Sequence, residues 1–151
     1  MNIERCEDLI NWTRKAHALL ADCLAEGAKE RSDSLAKMLL DYLAQHEREL
    51  TVTIARVIEH AEPGALQAPL HDVVQGDTVR LEIDSETFAQ ITVEEISQLV
   101  FAVHNRIIDL YRSLEKRREL HRASGLLGEV LQFEERETMR LAHQVNRMQE
   151  M

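Results

Sequence analysis

A second copy of a pattern constrains this chain more than any other feature. Shifting the sequence by 87 residues, without gaps, brings its two halves into register. His17 then falls on His104, Asp22 on Asp109, Lys29 on Lys116 and Arg31 on Arg118. Leu39-Leu40 falls on Leu126-Leu127, and Gln45, Glu47, Thr51 and Ala55 fall on Gln132, Glu134, Thr138 and Ala142. Leu20 with Ile107, Leu43 with Val130, Ile54 with Leu141 and Ile58 with Val145 are conservative pairs. Helical periodicity common to both halves explains matched leucines, but not matched His, Asp, Gln and Glu at one offset. A duplicated unit is the expectation, with equivalent residues facing each other across a pseudo-two-fold axis.

The unit is a helical hairpin. Apolar residues recur at helical spacing over four stretches. The first spans about Ile3 to Ala28, with Leu9, Ile10, Thr13, Leu20 and Leu24 inward. The second spans about Ser32 to Ala61, with Ser32 as the expected N-cap and Pro63-Gly64 beyond its end. Its face is Leu35, Leu39, Leu43, Leu50, Ile54 and Val57. The third begins at the capping box Thr92-Val93-Glu94-Glu95 and carries Ile96, Val100, Val103, Ile107, Leu110 and Leu114. The fourth starts near Glu119 or Ser124 and carries Leu127, Val130, Leu131, Thr138, Leu141 and Val145. Aromatic residues make up only 4% of the chain, which suits an all-helical core of leucine and alanine.

About thirty residues, 62–91, separate the hairpins (about 3–61 and 92–148) and hold both prolines. Leu66 to Val74 has the pattern of one helical turn, and Thr78 to Asp84 alternates like a strand. A lone strand forms no sheet, so an extended segment on the bundle is expected. Its length suits a crossing from one end to the other, giving one all-α domain: a four-helix bundle of two hairpins joined by a long crossover.

Four polar residues interrupt the apolar rows: His17, Glu47, His104 and Glu134. Each lies on or beside the core face of its helix. Burying a carboxylate is costly without a cation, a donor or a metal. At this point the chain resembles the ferritin-like superfamily, in particular rubrerythrin-like domains, over about residues 3–61 and 92–148. Such domains carry a carboxylate on helices one and three and Glu-x-x-His on helices two and four. Phe101-Ala102-Val103-His104 with Asp109-Leu110-Tyr111 is similar to the third helix, with His104 where a ligand Glu would stand. His17 takes the equivalent place on helix one. Glu47 and Glu134 match the Glu of each motif, while Leu50 and Glu137 stand where His would follow. The resemblance therefore implies a remodelled site of His17, Glu47, His104, Glu134 and Glu137, of a kind suited to one Fe, Mn or Zn ion. The competing expectation is a relic, in which His17 and His104 pair with Glu134 and Glu47 by hydrogen bonds.

Other features are weaker. His46-Glu47-Arg48-Glu49 lacks the second histidine of a metalloprotease helix. His60, His71, His121 and His143 read as surface residues. Cys6 and Cys23 share one helix, about 25 Å apart, too far for a disulfide. A net charge of −9 argues against binding nucleic acid. The charged start, Met1 to Asp8, has no signal-peptide apolar run, and no stretch approaches a membrane span; a cytoplasmic location is expected. Trp12, Phe101 and Phe133 are taken as exposed apolar side chains, and with them a homodimer is expected. Two functions remain: a non-catalytic ferritin-like protein acting through oligomerisation or a protein partner, or an Fe/Mn-binding protein or oxidoreductase using the His/Glu site.

Overall fold

The computed structural model describes residues 3–70, 74 and 81–150. Its elements are α1 (Cys6–Lys29), α2 (Ser34–His60), α3 (Pro63–Leu66), α4 (Ser85–Gln90), α5 (Val93–Glu115) and α6 (Ser124–Gln149). A single 3-10 turn, Arg118–Leu120, precedes α6. Among the described residues there is no strand, only an isolated antiparallel bridge between Arg5 and Pro69. No described helix is long and apolar enough to cross a membrane.

Local chemistry sets the helix ends. The box read at Thr92 forms: its Oγ1 accepts from Glu95 N at 3.2 Å, and Glu95 Oε1 accepts from Thr92 N at 3.1 Å. At the start of α1, Asp8 Oδ2 accepts from Arg5 N at 2.9 Å. The N-cap of α2 is Asp33 rather than Ser32. Arg31 holds its carboxylate at 2.8 and 2.9 Å, so that side chain makes no cap bond. Pro63 does more than end α2. It opens α3 at its first turn, where a missing N–H costs nothing.

Tertiary packing is strongest between α1 and α2 and between α5 and α6. Thr13 meets Tyr111 and His17 meets His104, so α1 and α5 run antiparallel as well. The long helices therefore run up, down, down and up. The buried apolar residues form one core, which includes the almost fully buried Leu20, Leu24, Leu43, Ile107, Tyr111 and Leu127.

Four sequence expectations about the core need correction. Trp12 and Phe133 are buried, and Phe101 is half-buried, so none of them is the exposed apolar surface expected. Leu35 is 45% exposed and lies outside the core face of α2, where Ala36 and Leu40 are buried instead. In an α-helix the core stripe is wide, and residues at its edge go in or out according to the neighbouring helix.

The connection departs from its reading too. Its first helical turn is α3, earlier than Leu66–Val74, and a further short helix, α4, follows the Thr78–Asp84 stretch. Leu81–Asp84 is non-helical, with Leu81 and Ile83 half-buried against the core. Residues 71–73 and 75–80 lie outside the described residues. Ala68 O accepts from Cys6 N at 2.9 Å, and Leu70 N donates to Glu4 O at 2.7 Å, which fixes one end beside the start of α1. The other end docks beside the end of α1, where Arg31 Nη1 donates to Ile91 O at 2.6 Å.

At that dock Gly27 lies against α4. A Cβ there would stand 2.7 Å from Phe88 Cβ and 3.2 Å from its backbone carbon. The obstruction includes backbone, so α4 must move to admit it. Gly27→Ala is expected to destabilise by about 1–3 kcal/mol, despite the ~1 kcal/mol that alanine gains in helix propensity. A thermal melt equal to or above wild type would refute the close contact.

Candidate functional site

The four interior polar side chains come together, one from each long helix. His17 on α1, Glu47 on α2, His104 on α5 and Glu134 on α6 are all fully buried. Their positions follow from helical spacing: His17 stands one turn beyond Thr13, and Glu47 one turn beyond Leu43, on stripes that already face inward.

The contacts are reciprocal between hairpins. His17 Nε2 lies 2.7 Å from Glu134 Oε1, and His104 Nε2 lies 2.8 Å from Glu47 Oε1 and 3.0 Å from Oε2. Within the hairpins symmetry breaks. His17 Nδ1 meets Glu47 Oε1 at 3.0 Å, whereas His104 Nδ1 meets Thr138 Oγ1 at 3.0 Å. Thr51, the counterpart of Thr138, donates to Glu47 O instead. The two imidazoles pack edge to face, with centroids 5.3 Å apart and planes at 88°.

Electrostatics follow from this geometry. Burial alone would drive His17 toward the neutral form, but the charges of Glu134 and Glu47 and their hydrogen bonds outweigh it and raise its pKa to about 10. His17 is then an imidazolium donating from both nitrogens, each to a carboxylate. Burial would raise the Glu47 pKa, yet His104 and His17 hold that carboxyl well below its usual range.

Two buried polar side-chain atoms in this region have no hydrogen-bond partner among the described residues: Glu134 Oε2 and His46 Nδ1. His46 borders the cluster. Its Nδ1 stands 3.4 Å from Glu47 Oε2, without hydrogen-bond alignment, and its ring is inclined by 29° to that of His104, with centroids 6.4 Å apart. In the sequence it is weighed only as part of His46-Glu47-Arg48-Glu49, which lacks the second histidine of a metalloprotease helix; adjacency to Glu47 is the only other signal. One turn away in the core, Tyr111 Oη and Thr13 Oγ1 are 2.7 Å apart, and Thr13 donates to Leu9 O at 3.0 Å. Tyr111 is thus the donor in that pair. Burial holds its phenol pKa well above the ordinary value.

Glu137, expected among the ligands, does not join them. It is half-buried and forms an ion pair with Arg140 at 3.0 Å. Leu50 fills its place in the core with a side chain that offers no donor or acceptor. Of the remaining histidines, His60, His121 and His143 are exposed, and His71 lies outside the described residues. Cys6 and Cys23 are free, buried thiols.

His17, Glu47 and His104 can each offer one ligand atom within 4.8 Å of the others. That limit exceeds the ~3.4 Å edge of a tetrahedron built on ~2.1 Å metal–ligand bonds. Small side-chain shifts close the difference, and Glu134 Oε2 supplies an unused oxygen. The donor set therefore fits one divalent ion, provided His17 gives up a proton. The surface grooves lie elsewhere: one runs along Leu81, Ile83, Leu99 and Arg106, another along α2, and neither includes a cluster residue. No protein-family model, curated protein or solved structure matches this chain.

Proposed function

We propose that this chain is a non-catalytic helical scaffold of the ferritin-like kind, acting through contacts with protein surfaces, first of all with a second copy of itself. In this reading the His/Glu cluster descends from a di-metal site in a duplicated hairpin. It now ties the two hairpins together by charge and hydrogen bonding. The observation that carries the reading is the double engagement of His17: both ring nitrogens stand at hydrogen-bond distance from buried carboxylates, at 3.0 and 2.7 Å. A metal ligand needs a free lone pair on one of them. The reciprocal pairs His17–Glu134 and His104–Glu47 support duplication, because residues equivalent at one offset make equivalent contacts. Leu50 supports the loss of metal chemistry, since an aliphatic side chain occupies the position of a ligand histidine. A buried ionic cluster of this kind can fix which helices pair and in what register.

A second reading has its own observation. Glu134 Oε2 is buried without a partner, beside three side chains whose ligand atoms converge. His17, Glu47, His104 and Glu134 would then hold Fe or Mn, which would supply redox or Lewis-acid chemistry. The residues would orient the ion and exclude water from it.

Elemental analysis of protein purified without chelator separates the two. The scaffold reading expects far less than one Fe or Mn per chain, and an unchanged melting temperature when either ion is added. An ion bound at a hundredfold excess over its Kd would stabilise by about 2.7 kcal/mol. Stoichiometric metal, or that degree of stabilisation, replaces the first reading with the second.

A further inference from the structure

Among the described residues five large apolar side chains are prominently exposed, and three of them, Leu35, Met38 and Val52, belong to α2. Leu19 and Met139 stand singly on α1 and α6 and need no explanation. On α2 the three fall on the outward face. Leu35, Met38, Tyr42, Gln45, Glu49, Val52 and Arg56 alternate by three and four residues, the spacing of a helix-pairing seam. The same face is hollowed by a groove of about 360 Å³ whose lining includes Gln45, Arg48, Val52 and Arg56.

Charge along this face selects both the occupant and its direction. Asp41 and Arg48 are exposed and lie seven residues apart, on one line down the helix. Among the described residues neither has an ion-pair partner in the chain. A parallel copy of α2 would set like charge beside like. An antiparallel copy, related by a two-fold axis beside residues 43 and 44, brings Asp41 within two residues, about 3 Å along the helix, of the level of the partner's Arg48, a step the long arginine side chain spans, and does the same for Arg48 and the partner's Asp41. The same axis places Leu35 opposite the partner's Val52, and lays Leu35 and Met38 over the partner's groove. One operator thus makes the apolar match and brings both charge pairs within side-chain reach, as an isologous interface requires.

We infer that the outward face of α2 is a self-association surface, on which two copies of this chain pair antiparallel through Leu35, Met38 and Val52 with reciprocal Asp41–Arg48 ion pairs. The inference rests on the proposed scaffold reading and adds to it the surface and the geometry.

The test uses the full chain. Light scattering at micromolar concentration is expected to give about twice the 17.4 kDa chain mass. Leu35→Asp together with Val52→Asp should weaken dimerisation by about tenfold or more, with helix content unchanged by circular dichroism because both sites are exposed. Arg48→Asp should weaken it as well, and adding Asp41→Arg should restore it, which a general loss of folding would not do. Gln45→Cys, near the axis, should form a disulfide-linked dimer on oxidation. Gln98→Cys on α5 should not. A monomer at micromolar concentration overturns the inference. So does a dimer that ignores these substitutions and fails to cross-link at position 45. Failure of the scaffold reading is read separately: stoichiometric metal in a chain that still cross-links at position 45 would reject that reading and leave the interface standing.

Discussion

Glu47→Gln is expected to lower the unfolding free energy by about 3–5 kcal/mol, the usual cost of breaking a buried ion pair from one side. One oxygen of Glu47 lies 3.0 Å from His17 Nδ1 and 2.8 Å from His104 Nε2, so a single carboxylate serves both rings. The amide keeps the shape but removes the charge, and turns one acceptor into a donor facing donors. His17 is left as a buried cation with Glu134 as its only carboxylate. At about 2–4 °C per kcal/mol for a domain of this size, the melting temperature should fall by roughly 6–20 °C. The complementary experiment replaces His17, Glu47, His104 and Glu134 together by leucine. Removing all the charges at once strands none of them, so the quadruple change should cost less than Glu47→Gln alone. Denaturant titration measures both. If the single change stays within about 1 kcal/mol of wild type, the cluster does not hold the hairpins together.

The second large effect is on pH dependence. The His17 pKa is raised from 6.5 to about 10 in the folded chain. The folded state therefore holds a proton that the unfolded state releases at lower pH. Its contribution is complete below pH 6.5, declines as the pH rises, and is lost by about pH 10. At about 1.4 kcal/mol per unit, the loss amounts to a few kcal/mol. Glu47 acts in the opposite direction. Its pKa is lowered well below 4.5, so its contribution is complete above pH 4.5 and disappears in acid as the folded carboxylate takes up a proton. Both contributions are complete between pH 4.5 and 6.5, where stability should be greatest. The two groups are hydrogen-bonded to each other, so the transitions belong to the cluster rather than to either residue. Urea midpoints measured across this range at constant ionic strength should decline on the alkaline side, and His17→Gln should flatten that decline. A wild-type midpoint that stays constant from about pH 6.5 to pH 9 would show that His17 is not held as a cation.

Much of the site is legible in the amino-acid sequence, because helical periodicity is local. A residue's place on the 3.6-residue cycle depends only on its neighbours in sequence. His17, Glu47, His104 and Glu134 could therefore be assigned to inward stripes, and their common offset pointed to reciprocal pairing. The Thr92 box is legible for the same reason: both its hydrogen bonds close within four residues. His46 and Glu137 sit at stripe edges, where the cycle gives no decision. His46 leans toward Glu47 and His104, while Glu137 turns to Arg140.

By itself the sequence determined four long amphipathic helices, the polar residues on their inner faces and the caps that start them, since these follow from contacts a few residues apart. Tertiary structure alone decided which nitrogen meets which oxygen, and why His104 bonds Thr138 where His17 bonds Glu47. It also buried Trp12 and Phe133, left Leu35 outside, and folded part of the connection into α3 and α4. Those outcomes depend on the helix that packs opposite, and on docking points as distant in sequence as Gly27 from Phe88. Periodicity carries no information about a neighbour brought in by the fold, so only close packing among all the helices settles them.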